Sequence, residues 1–182
     1  MTAYVALFRG INVGGKHSLP MQDLRDILSS LGCEDVQTYI QSGNAVFSSV
    51  VDAQSLSGQI KDAIEKRCGF GPPVLLLTVE RFQAIAAANP FPDGEETPKL
   101  LHVAFLTAVA PNPDLEALHA LKAPSEQFLL CGDAFYLYAP DGIGRSKLAV
   151  KIDRHLGVAT TARNWRTVTK LLKICKESKW IQ

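Results

Sequence analysis

The chain lacks most of the features that announce a reaction. Its cysteines, Cys33, Cys68, Cys131 and Cys175, are scattered singles with no Cys-x-x-Cys pair. That spacing excludes a zinc ribbon and a disulfide scaffold and leaves buried or half-buried thiols. The histidines, His17, His102, His119 and His155, lack the i, i+3 or i, i+4 spacing of a helical metal site, so no metal is expected and no cofactor is implied. No apolar run is long enough to span a membrane. The run from Ala3 to Phe8 has no basic segment before it and no cleavage site after it, so neither a signal peptide nor a membrane partner is expected and the setting is cytoplasmic. No nucleophile–base pair or carboxylate dyad can be read, which leaves open whether any reaction is catalysed.

Neither sign of charge prevails over the whole chain, whose net charge is +1, but the charge is unevenly placed. From Arg145 onward ten Lys/Arg face only Asp153 and Glu177, a net of +8, whereas the first 144 residues carry a net of −7. Such a division points to a polyanionic partner or to one part of the chain docking on the other. At 182 residues, 47% hydrophobic and 20% charged, the composition is that of an ordinary globular protein of one large or two small domains.

The order of periodic segments gives the fold. Ala3 to Phe8 reads as a buried strand, and Ser18 with Pro20 opens a helix with Met21, Leu24, Ile27, Leu28 and Leu31 on one face. Val36–Ile40 and Ala45–Ser49 are short strands joined by the hairpin chemistry of Gln41-Ser42-Gly43-Asn44. A helix through Leu56, Ile60, Ile64 and Cys68 and the strand Val74–Thr78 complete βαββαβ. This predicts a ferredoxin-like α+β subdomain over residues 1–88, with an antiparallel sheet backed by helices. Thr78 caps a connecting helix, and the Pro/Gly/acidic stretch 89–98 reads as a linker. Residues 99–182 then repeat the pattern as a related βαββα subdomain that ends in a basic C-terminal helix.

Right-handed crossovers send the loop after the first strand and the hairpin between the second and third strands to one end of the sheet. Arg9-Gly10-Ile11-Asn12-Val13-Gly14-Gly15-Lys16 is therefore expected beside Gln41, Ser42 and Asn44. Glycines that allow close backbone approach, cations at Arg9 and Lys16 and the amide of Asn12 together predict an anion as guest, with Gly14 and Gly15 lining it. The stretch is close to a P-loop, with His17 where the hydroxyl residue belongs, but an antiparallel sheet without a partner Asp strand argues against nucleotide hydrolysis. Gly142-Ile143-Gly144-Arg145-Ser146-Lys147 repeats the glycine–cation construction ahead of a predicted helix N-terminus. Arg145 and Lys147, with Arg163 and Asn164, are expected to close a joint anion site between the subdomains; the competing reading of each stretch is a turn with solvated cations. Tyr4, Phe8 and Phe47 lie on the central strands, but the RNA-recognition sequence Gly-Phe/Tyr-x-Phe is absent.

Four stretches, Arg9–Lys16, Thr38–Asn44, Asp141–Lys147 and Thr161–Val168, occur in an order that resembles the bacterial family catalogued as domain of unknown function 1697. The resemblance covers nearly the whole chain and implies a cytoplasmic α+β protein of two subdomains. It brings no substrate, cofactor or catalytic residue. Two functional classes stay open: a binding module for a phosphate-bearing ligand, either a nucleotide or nucleic acid, and a small-molecule enzyme with its site at the Arg9–Lys16 loop.

Overall fold

A computed structural model describes residues 1–178. Lys179 of the basic count and the end of the expected second subdomain lie outside the described residues. The chain forms two compact units, one of Met1–Ala84 with residues 170–178 and a second of Ile85–Thr169.

The first unit consists of β1 (Thr2–Phe8), α1 (Met21–Ser30), β2 (Glu34–Thr38), β3 (Asn44–Ser49), α2 (Ala53–Cys68), β4 (Val74–Thr78) and the start of α3 (Val79–Ala87). Its four-stranded sheet has the order β2-β3-β1-β4 with every neighbouring pair antiparallel, as the βαββαβ pattern requires. Strand alternation sends Tyr4, Ala6 and Phe8 of β1 and Ala45 and Phe47 of β3 to the same face. There they form one core with Leu24, Ile27 and Leu28 of α1 and Leu56, Ile60 and Ile64 of α2. Each large apolar side chain so buried contributes about 1.5–3 kcal/mol. The carboxylate of Asp52 caps α2 by accepting from the Ser55 amide at 2.9 Å. β2 starts at Glu34, earlier than the expected Val36, and its register shifts between Glu34 and Gln37, where Asp35 has a left-handed φ of 52°.

The second unit holds β5 (Leu101–Leu106), α4 (Leu115–Leu121), β6 (Gln127–Cys131), β7 (Ala134–Tyr138), α5 (Ile152–Leu156), β8 (Thr160–Asn164) and the start of α6 (Trp165–Glu177). The sheet order β6-β7-β5-β8, again antiparallel throughout, repeats that of the first unit. Ala104, Leu106, Phe135 and Leu137 pack with Leu118, Leu148, Ile152 and Leu156. The strand β8 corrects the expected βαββα pattern to βαββαβ. Thr-Thr-Ala-Arg-Asn carries no apolar alternation, and it is held as an edge strand by pairing with β5 from His102↔Asn164 to Leu106↔Thr160.

The division between these units falls ahead of the 89–98 stretch expected to link the subdomains. That stretch is ordered by its own bonds: the Asn89 amide donates to Glu95 at 2.9 Å and accepts from the Phe91 amide at 3.0 Å, over a 3-10 turn at Pro92–Glu96. The late part of α6, expected in the second subdomain, groups with the first unit, where Gln37 donates to the Ser178 hydroxyl at 3.1 Å. Among the described residues no helix is long and apolar enough to cross a membrane.

His102, on the central strand β5, is buried, and that burial lowers its pKa from the ordinary 6.5 against a weaker opposing contact with the Leu100 carbonyl. Below about pH 6.5 the unfolded chain then binds a proton that the folded chain resists, so stability rises with pH and is lost as pH falls through this range. The melting temperature should therefore drop on acidification from about pH 7.5 to 5.5, and His102→Gln should flatten that slope; an unchanged slope in the variant would assign the pH dependence to other groups.

Candidate functional site

The loop between β1 and α1 is anchored at both ends by apolar burial, since Ile11 and Leu19 belong to the core of the first unit. Between them the backbone forms a miniature hairpin. The Asn12 amide donates to the His17 carbonyl at 3.0 Å and the Lys16 amide to the Val13 carbonyl at 3.1 Å. Gly14 and Gly15 occupy the two central positions with φ of 59° and 74°. Two successive left-handed residues are what a type I′ turn demands, which accounts for the glycine pair. The turn takes up the Lys16 amide and gives the glycine pair a conformational role of its own.

Asn12 fixes the hairpin. Its Nδ2 donates to the Leu19 carbonyl at 2.9 Å and the Gln41 carbonyl at 2.8 Å, while its Oδ1 accepts from the Leu19 amide at 2.8 Å. Further bonds run from the Phe8 amide to the Gly43 carbonyl at 2.9 Å and from the Arg9 amide to the Pro73 carbonyl at 3.0 Å. His17 stacks on Phe70 with ring centroids 4.7 Å apart, its Nδ1 lying 3.1 Å from the Gly10 carbonyl. The β1–α1 loop, the β2–β3 hairpin and the Phe70–Pro73 stretch thus meet at one end of the sheet. Asn44, fully buried, donates to the Tyr39 carbonyl at 3.0 Å and so closes the β2–β3 hairpin. Asn12 and Asn44 therefore build the site's frame, and the exposed side chains there include Arg9, Val13, Lys16, His17, Gln41 and Ser42.

Left-handed backbone is concentrated in this region, at Asn12 (φ 53°), His17 (φ 52°) and Ile40 (φ 50°). For β-branched Ile40 such an angle costs about 1–3 kcal/mol and persists only where the surroundings dictate it.

In the second unit the structure departs from expectation at Gly142–Lys147. No α-helix starts there: Ile143–Arg145 is a single 3-10 turn, the Ser146 hydroxyl accepts from the Ala149 amide at 3.0 Å, and α5 begins only at Ile152. The bundle of free amides that a helix N-terminus would offer is missing. Arg145 and Lys147 are exposed and line a cleft of 390 Å³ with Ala120, Leu121, Lys122 and Ala123. Asn164 is the cap of α6, accepting from the Thr167 amide and hydroxyl at 3.0 Å each. Arg163 is half-buried, donates to the Ala162 carbonyl at 2.9 Å, and has its pKa pushed down by burial to about 10.

Burial disfavours the thiolate at two of the cysteines. All four cysteines are free, and burial raises Cys33 and Cys175 to about 11, where the thiolate is scarce at neutral pH. Among the described residues no group of three His, Cys, Asp or Glu side chains could hold a metal ion.

Gly43 is the contact on which the arrangement is tightest. A Cβ there would lie 2.5 Å from Ile11 Cδ1 and 2.7 Å from Phe8 Cβ, at a φ of 84°. Gly43→Ala should cost about 2–5 kcal/mol and lower the melting temperature by about 5 °C or more. A melt within about 2 °C of wild type would show that the loop and hairpin are not packed as described.

The chain is similar to the conserved bacterial protein SP0830 from Streptococcus pneumoniae, with a TM-score of 0.69 and 25% sequence identity, covering 95% of this chain and 98% of that one. No curated protein matches it. The model of the family described as "Protein of unknown function (DUF1697)" matches residues 1–136, a span that includes the Asn12 loop and the Thr38–Asn44 hairpin. The chain belongs to the DUF1697 family of proteins of unknown function.

Proposed function

We propose that this protein is a binding module for a phosphate-bearing anion, either a nucleotide or nucleic acid, and that the ligand is held at the loop end of the first sheet. The reading rests on one observation: exposed Lys16, Arg9, Gln41 and Ser42 stand on backbone that the Asn12 amide fixes in place with bonds of 2.8–2.9 Å. Lys16 forms no ion pair among the described residues. A site with its frame already set pays less ordering cost on binding. Each charge-assisted hydrogen bond it makes is worth about 1.5–3 kcal/mol. The free thiols suit a reducing, cytoplasmic setting.

His17 supports a second reading, a small-molecule enzyme at the same loop. Its Nδ1 lies 3.1 Å from the Gly10 carbonyl, which can only accept, and Phe70 stacks on the ring.

Melting the protein against inorganic phosphate, nucleotides and short oligonucleotides tests binding directly. Lys16→Ala should weaken a stabilising ligand by about tenfold and leave the ligand-free melting temperature within about 1 °C of wild type. If no phosphate compound stabilises the wild type, or if the variant binds as well as wild type, the proposal fails.

A further inference from the structure

We propose that the cleft in the second unit, between the C-terminal end of α4 and the Gly142–Lys147 turn, is a separate anion site that takes an oligophosphate on Lys122, Arg145 and Lys147. The residues lining its 390 Å³ supply three cations and no acid. That volume is within the ordinary range for small-molecule sites, about 300–1,000 Å³. Like charges on one concave surface repel one another and raise the local potential for an anion.

The fold holds Lys122 in place and engages two nearby acids in hydrogen bonds. Lys122 donates from Nζ to the Glu126 carbonyl at 2.8 Å and the Ala123 carbonyl at 3.3 Å, which leaves one ammonium proton for a ligand. The buried carboxylate of Glu126 accepts from the Ala123 amide at 2.8 Å, so it braces the turn that carries Lys122. Asp141 accepts from the Ser125 hydroxyl at 2.6 Å. Arg145 and Lys147 form no ion pair among the described residues. Their position could be explained without a ligand by the negative end of α4, but a seven-residue helix needs at most a cation or so at its last turn. Three cations exceed that need. Pyrophosphate or a triphosphate chain, with three to four negative charges near neutral pH, matches them in number.

Lys122 was not legible as a site residue, because its surroundings, Leu121-Lys122-Ala123-Pro124, contain no glycine or second cation. It joins Arg145 and Lys147 only through the fold of the unit.

A titration of the ¹⁵N-labelled full chain with inorganic pyrophosphate reads both sites residue by residue. The amides of Lys122, Ala123, Gly144, Arg145 and Lys147 should shift together and saturate, with an affinity that weakens as salt is added. Arg145→Ala/Lys147→Ala should weaken that binding about tenfold or more while melting within about 2 °C of wild type without pyrophosphate. Saturation at the Arg9–His17 amides alone would overturn this site and leave the first proposal standing; saturation at the second cleft alone would do the reverse. Unsaturated drift over all surface cations, undiminished binding by the double variant, or a double variant that melts several degrees lower would overturn the second site.

Discussion

The carboxamide of Asn12 is the interaction on which the loop end of the first sheet depends. One side chain donates twice and accepts once, with partners at Leu19 and Gln41, and so joins the β1–α1 loop both to the entry of α1 and to the β2–β3 hairpin. An amide does this where a carboxylate could not, because two of the three bonds require a donor. Asparagine also tolerates the left-handed φ of 53° better than most residues, so one residue meets a conformational need and a hydrogen-bonding need. With Ile11 and Leu19 buried on either side, the exposed tip from Val13 to Lys16 projects from a fixed base.

The two glycine–cation stretches differ physically although they look alike in sequence. In the first, Gly14 and Gly15 answer a type I′ turn, and the cations stand beside a packed hairpin. In the second, the Gly142–Lys147 segment makes one 3-10 turn, its Ser146 hydroxyl accepts from the Ala149 amide, and its cations line a cleft that Lys122 completes. Anion recognition at either place would rest on side-chain charge more than on a helix N-terminus. The three asparagines that sequence reading assigned to the ligand, Asn12, Asn44 and Asn164, are engaged as loop clamp, hairpin closure and helix cap.

Much of the fold was legible because apolar periodicity is strong where both units bury their cores. Leu56, Ile60 and Ile64, or Phe135 and Leu137, leave little choice of element. The meeting of the Arg9–Lys16 loop with the 41–44 hairpin followed from crossover handedness alone, and the Asn12–Gln41 bond places it. β8 was illegible because an edge strand with polar residues owes its pairing to β5 and not to its own pattern. The helix expected after Gly142 was misjudged for a related reason: Leu148, Ile152 and Leu156 do face one core, but the chain reaches it through 3-10 turns. The C-terminal helix is basic as expected, with Arg166, Lys170 and Lys173 exposed, whereas Arg163 lies ahead of it on β8 and is half-buried.

If the Asn12 clamp holds the loop in place, its removal should loosen the loop and spare the core. Amide hydrogen exchange at Leu19, whose N–H is bound by Asn12 Oδ1 at 2.8 Å, reports this directly. Asn12→Gly keeps the left-handed backbone accessible and deletes only the carboxamide. Exchange at Leu19 should accelerate by about tenfold or more in the variant, with Ile60 and Ile64 in α2 unchanged. Equal protection of Leu19 in the two proteins would contradict the clamp as the element that positions the site.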